Sequence, residues 1–160
     1  MNVKRILFVC TGNSCRSVMA EAFLRQVLER AGIDAVQVES AGVFAIDGMG
    51  PTRETQRVLQ EIGIDCAAHH ARFLTPAIIH AADLIFVMES FQLEEVLRRS
   101  HEAKSKTYLL KPYGLVPSEV EGSPNIPDPI GKPLEVYEVC FTDIRQAVER
   151  IAKLLGVPSA

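Results

Sequence analysis

The sequence lacks the features that would assign it at once to a membrane, secreted or nucleic-acid-binding class. No apolar run approaches the ~18 residues of a membrane span. The first residues combine a basic pair with only a short apolar stretch, unlike a secretory signal peptide. Lysine and arginine number 17 against 20 aspartate and glutamate, so bulk charge does not favour nucleic acid. We therefore expect a cytoplasmic protein with neither a membrane nor a nucleic acid as its partner.

Cysteine is also scarce. The four cysteines, Cys10, Cys15, Cys66 and Cys140, are too few and too scattered for a disulfide scaffold. The 160 residues contain no repeat or linker, which predicts one domain over residues 1–160. A chain of this length buries a core without disulfides or a structural metal, so the cysteines raise the question of reactive-thiol chemistry.

Short apolar runs alternate with helical patterns along the chain. The runs at 6–9, 36–40, 84–88 and 107–110 predict four strands. Helices are predicted over 17–31, from Pro51 to Gly63, after Thr75, from a cap at Ser90 to 99, and over 134–155. This order predicts a single-domain α/β fold with a four-stranded, parallel, twisted sheet and helices on both faces. Ligands bind such sheets beyond the carboxyl ends of the strands, and the first strand ends at Cys10.

The turn after the first strand has the composition of an anion site. Gly12 and Asn13 can take positive φ, so that successive N–H groups point inward, and a helix N-terminus follows. Arg16 can hold two oxygens of a tetrahedral oxyanion, and Ser17 can donate to a thiolate at Cys10. The segment therefore predicts a nucleophilic thiol that faces a bound phosphate. It comprises Cys10, Thr11, Gly12, Asn13, Ser14, Cys15, Arg16 and Ser17.

Two other patterns are discounted. Cys66 and Arg72 repeat the Cys-x5-Arg spacing, but no apolar strand precedes them and no glycine lies between them. Cys66, His69 and His70 fall short of the four ligands that a zinc site needs, so we expect no metal.

The segment from Cys10 to Ser17 closely resembles the loop of the low-molecular-weight protein phosphatases, a branch of the protein-tyrosine-phosphatase enzymes. The resemblance extends over essentially the whole chain. It rests also on the segments 19–21, 40–42, 69–72 and 82–85, and on Asp128-Pro129 in the proline-rich stretch 111–133.

The resemblance implies a site and a mechanism. Cys10 would form a phosphocysteine, and Asp128 would be the general acid and then the base that activates water. Chemistry supports an acid here, since a poor leaving group needs a proton. The loop amides and Arg16 would hold phosphate, and no cofactor or metal would be used. The remaining implied roles are a hydrogen bond from Asn13 to Ser40, thiolate stabilisation by Ser17, and a reversible disulfide of Cys15 with oxidised Cys10.

The resemblance leaves the substrate open. Ile130-Gly131 follows Asp128-Pro129 where tyrosine-specific members usually carry aromatics, whereas the protein-arginine-phosphatase branch has a threonine at the position of Ser14. A phosphorylated protein is the expected partner, with phosphotyrosine or phosphoarginine as the target. Thioredoxin-coupled arsenate reductases share the Cys10–Ser17 residues and are the alternative. They place two further cysteines shortly after the third strand, and residues 88–111 contain none.

Overall fold

A computed structural model describes residues 2–159, and within them it has four strands, five α-helices and two short 3-10 helices. The predicted domain of residues 1–160 also includes Met1 and Ala160, which lie outside the described residues. In chain order the elements are β1 Arg5–Cys10, α1 Arg16–Arg30, β2 Gln37–Gly42, α2 Arg53–Gln60, α3 Pro76–Ala81, β3 Leu84–Val87, α4 Ser90–Arg99, the 3-10 helix His101–Lys106, β4 Thr107–Leu109, the 3-10 helix Pro117–Glu119 and α5 Leu134–Leu154.

The four strands form one parallel sheet in the order β2-β1-β3-β4. The predicted α/β architecture is therefore confirmed. β1 lies between two neighbours, with Cys10 opposite Gly42 of β2 and Val9 opposite Val87 of β3. Residues 6–9 are fully buried, as expected of a strand covered on both faces.

Each face of the sheet has its own core. Ile6 and Phe8 point to the face covered by α1, α2 and α5, while Leu7 and Val9 point to the face covered by α3 and α4. The ring of Phe8 stacks on Phe86 of β3 at a centroid distance of 5.8 Å. Because both faces are packed, the carboxyl edge of the sheet remains for a site.

Three helices begin at residues that differ from the predicted ones, and the first of them, α1, begins at Arg16 rather than at residue 17. α2 starts at Arg53, beyond Pro51, because the Thr52 side chain caps it by accepting a backbone N–H. At α4 the N-cap is Glu89 rather than Ser90, and the Gln92 side chain accepts the Glu89 N–H at 3.0 Å. The difference at α4 matters for the site, because the Glu89 side chain pairs with Arg16.

α5, with 21 residues, is the longest helix and buries one face against α1. Its other face carries charged residues such as Glu138 and Arg145. Of the helices in residues 2–159, none is both long enough and apolar enough to span a bilayer.

Candidate active site

Residues 11–15 connect the end of β1, where Cys10 lies, to the start of α1. Within this segment only Asn13 has positive φ, at 53°. Gly12 was predicted to be able to adopt such a conformation as well, but it does not. Asparagine tolerates the left-handed region because its short side chain can form local hydrogen bonds, and here it forms several.

Asn13 is fixed in place by four hydrogen bonds. Its side-chain Nδ2 donates to Ser17 Oγ at 2.8 Å and to Ser40 Oγ at 2.9 Å. Its Oδ1 accepts the Arg72 backbone N–H at 2.9 Å, and its carbonyl oxygen accepts from His69 Nε2 at 2.8 Å. The expected Asn13–Ser40 hydrogen bond is thus present, and the loop geometry depends on residues from β2 and from the segment after α2.

The sulfur of Cys10 lies 2.9 Å from Ser17 Oγ, and both side chains are buried. Since Ser17 Oγ accepts from Asn13, its own proton is free to point at the sulfur. Ser40 in turn donates to Glu21 of α1. A continuous chain of hydrogen bonds therefore connects Glu21 to Cys10, and it ends in a donor that favours a negatively charged sulfur.

Arg16 lies under the loop with only 1% of its side chain exposed. Its Nη1 pairs with Glu89 and donates to the Ile126 carbonyl at 2.7 Å. Its Nη2 lies 3.4 Å from Asp128 Oδ2 and 3.4 Å from Thr11 Oγ1. The Nε–H is buried without a partner, and such a group is an exception that calls for an explanation.

Opposing effects act on the pKa of Arg16. Burial disfavours the charged guanidinium, but the negative charges of Cys10, Asp128 and Glu89 outweigh this effect and raise the pKa. The guanidinium is therefore a permanent positive charge in a buried site.

Asp128 stands at the mouth of the site with about a third of its side chain exposed, at 36%. One carboxylate oxygen faces Arg16, and the other accepts the Ile130 backbone N–H at 3.1 Å. The preceding Ile126 N–H donates to the Met88 carbonyl at 2.8 Å, at the end of β3. The 111–133 segment is thus tied to the end of β3 close to Asp128, whose carboxylate lies beside Arg16.

The other three cysteines are buried free thiols. Cys15 lies 3.5 Å from Thr52 Oγ1 and donates to the Tyr137 hydroxyl at 3.6 Å. Burial raises the pKa of Cys66 to about 11 and that of Cys140 to about 12. These two thiols are therefore poor nucleophiles near neutral pH.

The chain matches a known family over nearly its full length. The family is described as Low molecular weight phosphotyrosine protein phosphatase, and its sequence profile matches residues 5–157. The chain belongs to this family.

Curated relatives of this low-molecular-weight phosphatase have different names. A "Protein-arginine-phosphatase" of Geobacillus stearothermophilus is 40% identical over 151 residues, covering 94% of this chain and 95% of the relative. A "Probable low molecular weight protein-tyrosine-phosphatase EpsP" of Ralstonia nicotianae is 37% identical and covers 92% of both chains. An "Arsenate reductase 2" of Staphylococcus epidermidis is 32% identical and covers 93% of this chain and 96% of the relative.

Solved structures agree on the phosphatase fold. The tyrosine phosphatase Wzb from Escherichia coli K30 in complex with sulphate gives a TM-score of 0.84 at 32% identity, covering 96% of this chain and 99% of Wzb. A YwlE arginine phosphatase mutant with a phosphorylated active-site serine also gives 0.84 at 32% identity, covering 94% and 95%.

The structure brings the predicted residues Cys10, Arg16, Ser17 and Asp128 together at one edge of the sheet, with Ser40 behind them. Thr11, Gly12, Asn13, Ser14 and Cys15 connect Cys10 at the end of β1 to Arg16 at the start of α1. The second Cys-x5-Arg segment, from Cys66 to Arg72, supports the first one. The Arg72 backbone N–H donates to the Asn13 side chain, and the Arg72 Nε donates to the Ser40 carbonyl at 3.2 Å. In residues 2–159 no group of three or more His, Cys, Asp or Glu side chains is placed to hold a metal ion.

Sequence reasoning missed five residues that build the site. The segments 19–21 and 69–72 are part of the family resemblance, and they contain Glu21, His69 and Arg72. That resemblance is the signal by which these three residues could have been found. Glu89 and Gln92 had no local signal, because their partners Arg16 and Thr11 lie more than 70 residues away along the chain.

Proposed function

We propose that the protein is a phosphoprotein phosphatase that works through a phosphocysteine at Cys10. The observation that carries this proposal is the buried Arg16 guanidinium. It is held between Glu89 and Asp128, and it retains an unpartnered Nε–H beside the loop of Cys10. A phosphoryl oxygen is the ligand that such a donor suits, since Arg pairs with phosphate through parallel charge-assisted hydrogen bonds.

In the first step the Cys10 thiolate attacks phosphorus. The S–P bond forms, and the bond from phosphorus to the leaving atom breaks. Asp128 gives its proton to that atom. In the second step water attacks phosphorus, Asp128 takes a proton from the water, and the S–P bond breaks to release inorganic phosphate and the thiolate. The solved YwlE mutant with a phosphorylated active-site serine supports an intermediate of this kind.

The remaining loop residues hold the phosphoryl oxygens in this proposal. Backbone N–H groups of the loop and of the first turn of α1 supply donors, and the helix N-terminus adds partial positive charge. Ser17 stabilises the sulfur as it leaves phosphorus, while Asn13 and Ser40 keep the loop in shape. The residues assigned to phosphate binding are Thr11, Gly12, Asn13, Ser14, Cys15 and Ser17.

The substrate is a protein that carries phosphotyrosine or phosphoarginine. Ile130, two residues after Asp128, is aliphatic and 54% exposed, so it provides less stacking surface for a phenyl ring than an aromatic side chain would. In the loop after β2, Ile46 and Met49 are exposed aliphatic side chains and Phe44 is an exposed aromatic one. The small polar Ser14 suits a guanidinium. The relatives named for arginine and for tyrosine, at 40% and 37% identity, support both substrates.

Arsenate reduction is the second candidate, because one relative carries that name. Passing a disulfide on to thioredoxin needs further reactive thiols. Cys66 and Cys140 are buried, and burial raises the pKa of each, which disfavours this relay.

A cytoplasmic location fits the proposed chemistry. A nucleophilic thiol has to stay reduced between turnovers, and the cytosol keeps protein thiols reduced. Cys15 serves as the partner that captures Cys10 in a reversible disulfide after oxidation.

The proposal is tested by replacing Cys10 with serine. Cys10→Ser should abolish hydrolysis of p-nitrophenyl phosphate but keep inorganic phosphate binding in a calorimetric titration. Cys66→Ser is the matched control, since it changes the cysteine of the second Cys-x5-Arg copy, and it should keep wild-type turnover. Turnover by Cys10→Ser would overturn the proposal.

Three assays of the wild-type protein identify the substrate. These are kcat/KM on a phosphotyrosine peptide, kcat/KM on a phosphoarginine peptide, and reduction of arsenate with thioredoxin. A preference for either peptide assigns the substrate. Arsenate turnover without phosphatase activity would replace the proposal with the second candidate.

A further inference from the structure

Gln92, in the first turn of α4, is a fully buried polar residue with no assigned role. Both polar atoms of its amide have hydrogen-bond partners. The Oε1 accepts the backbone N–H groups of Met88 and Glu89 at 2.8 and 3.0 Å, and the Nε2 donates to Thr11 Oγ1 at 3.1 Å. One side chain thus joins the end of β3 to the second residue of the catalytic loop.

Both ends of this bridge contact Arg16. Glu89, whose backbone Gln92 holds, pairs with Arg16 Nη1, and Thr11 Oγ1 lies 3.4 Å from Arg16 Nη2. The Ile126 carbonyl and the Asp128 carboxylate contact the same guanidinium from the acid loop. Two of the groups that orient Arg16 therefore depend on the Gln92 amide.

We propose that Gln92 is a positioning residue that fixes Arg16 for oxyanion binding, an inference that rests on the phosphatase function proposed above. It acts through Glu89 and Thr11 and does not touch the substrate. An amide suits this position because it accepts two N–H groups and donates to a hydroxyl at once. An apolar residue of similar size does neither, so it would leave two buried N–H groups unsatisfied and release Thr11.

The test compares Gln92→Met with Val96→Ala on the same helix. Val96 is also fully buried, but it packs in the α3–α4 core away from the loop. Val96→Ala should lower Tm and leave kcat and KM for p-nitrophenyl phosphate unchanged. Gln92→Met should lower kcat/KM by about 10- to 100-fold and weaken competitive inhibition by inorganic phosphate by a similar factor.

A thiol readout separates positioning from general damage. Alkylation of Cys10 by neutral iodoacetamide needs the thiolate but no oxyanion clamp, so Gln92→Met should slow it far less than it weakens phosphate inhibition. A lower Tm with unchanged phosphate inhibition would give Gln92 a purely structural role and overturn the inference. Loss of alkylation together with phosphate binding would also overturn it, because the whole loop would then have collapsed.

Thr11→Val tests the same bridge from its other end, and it covers the case in which Gln92→Met fails to fold. It severs the hydroxyl link and keeps both amide bonds of Gln92. It should weaken phosphate inhibition, and adding it to Gln92→Met should cause no further loss. Unchanged phosphate inhibition in Thr11→Val would exclude the hydroxyl route and overturn the proposed bridge.

Cys10→Ser, measured in the same assay, separates a failure of the proposed phosphatase function from a failure of the inference about Gln92. If Cys10→Ser kept turnover, the phosphatase proposal would fail. If Cys10→Ser were inactive while Gln92→Met behaved like Val96→Ala, only the role of Gln92 would fail.

Discussion

Gly42, the last residue of β2, lies against the catalytic loop more closely than any side chain allows. A Cβ built at this position would lie 2.5 Å from the Thr11 carbonyl oxygen, 2.9 Å from the Asn13 nitrogen and 2.9 Å from the Ala45 Cβ. All three neighbours are too close for a real Cβ, and two of them are loop backbone. Gly42→Ala therefore has to move either the strand end or the loop.

The size of the displacement follows from these contacts. Carbon–oxygen contacts are normally no shorter than roughly 3.3 Å, so the backbone near Thr11 has to shift by roughly 0.8 Å. Displacements of about 1 Å can lower a rate by about 100-fold, or about 2.7 kcal/mol in transition-state stabilisation. Overpacking itself costs about 1–3 kcal/mol of stability, which corresponds to a Tm drop of about 2–12 °C at this chain length.

The assay measures kcat/KM for p-nitrophenyl phosphate, competitive inhibition by inorganic phosphate, and Tm. Gly50→Ala is the matched control, since a Cβ there meets nothing within 4 Å and the residue has no positive φ. It should stay within about 0.5 kcal/mol of wild type and keep full activity. Wild-type kcat/KM and phosphate inhibition in Gly42→Ala would refute the claim that the loop position sets the rate.

Asp128→Ala should reduce kcat/KM far more for phenyl phosphate than for p-nitrophenyl phosphate, because only the poorer leaving group needs a proton; equal losses would remove Asp128 from the acid role. Peroxide should convert Cys10 and Cys15 into a disulfide that dithiothreitol reverses, as mass spectrometry of peptides would detect, and irreversible sulfinic acid at Cys10 alone would contradict the pairing. Two backbone N–H groups near the start of β1 donate to Asp83 at 2.9 Å and lower the pKa of its carboxyl. Since the folded pKa lies below the unfolded one, the carboxylate stabilises the fold above pH about 4 and this contribution is lost as the pH falls through the lowered value. Asp83→Asn should therefore lower Tm at pH 7, with a difference from wild type that shrinks below pH about 4; a constant difference across that range would contradict the assignment.

The strands and the nucleophile loop were predictable because their signals are local. A strand buried on both faces has to be continuously apolar, as residues 6–9 are, and a loop that cradles an anion needs residues that tolerate unusual backbone angles. Gly12 does not use the positive φ that glycine allows, because Asn13 supplies the left-handed position alone and four hydrogen bonds hold it there.

The start of α4 was predicted one residue late, and that error hid part of the site. Ser90 is a good cap by residue type, but Glu89 takes the position because Gln92 accepts its N–H. No local rule predicts that the carboxylate of Glu89 then pairs with Arg16.

The sequence by itself determined the order of strands and helices, the position of Cys10 at a strand end and the residue types of the loop, because these follow from hydropathy period and turn chemistry within a few residues. Only the tertiary structure decided what surrounds Arg16. Its partners Glu89 and Ile126 lie 73 and 110 residues away. They meet it because the sheet order β2-β1-β3-β4 places the ends of β1 and β3 side by side, and the 111–133 segment binds back to the end of β3.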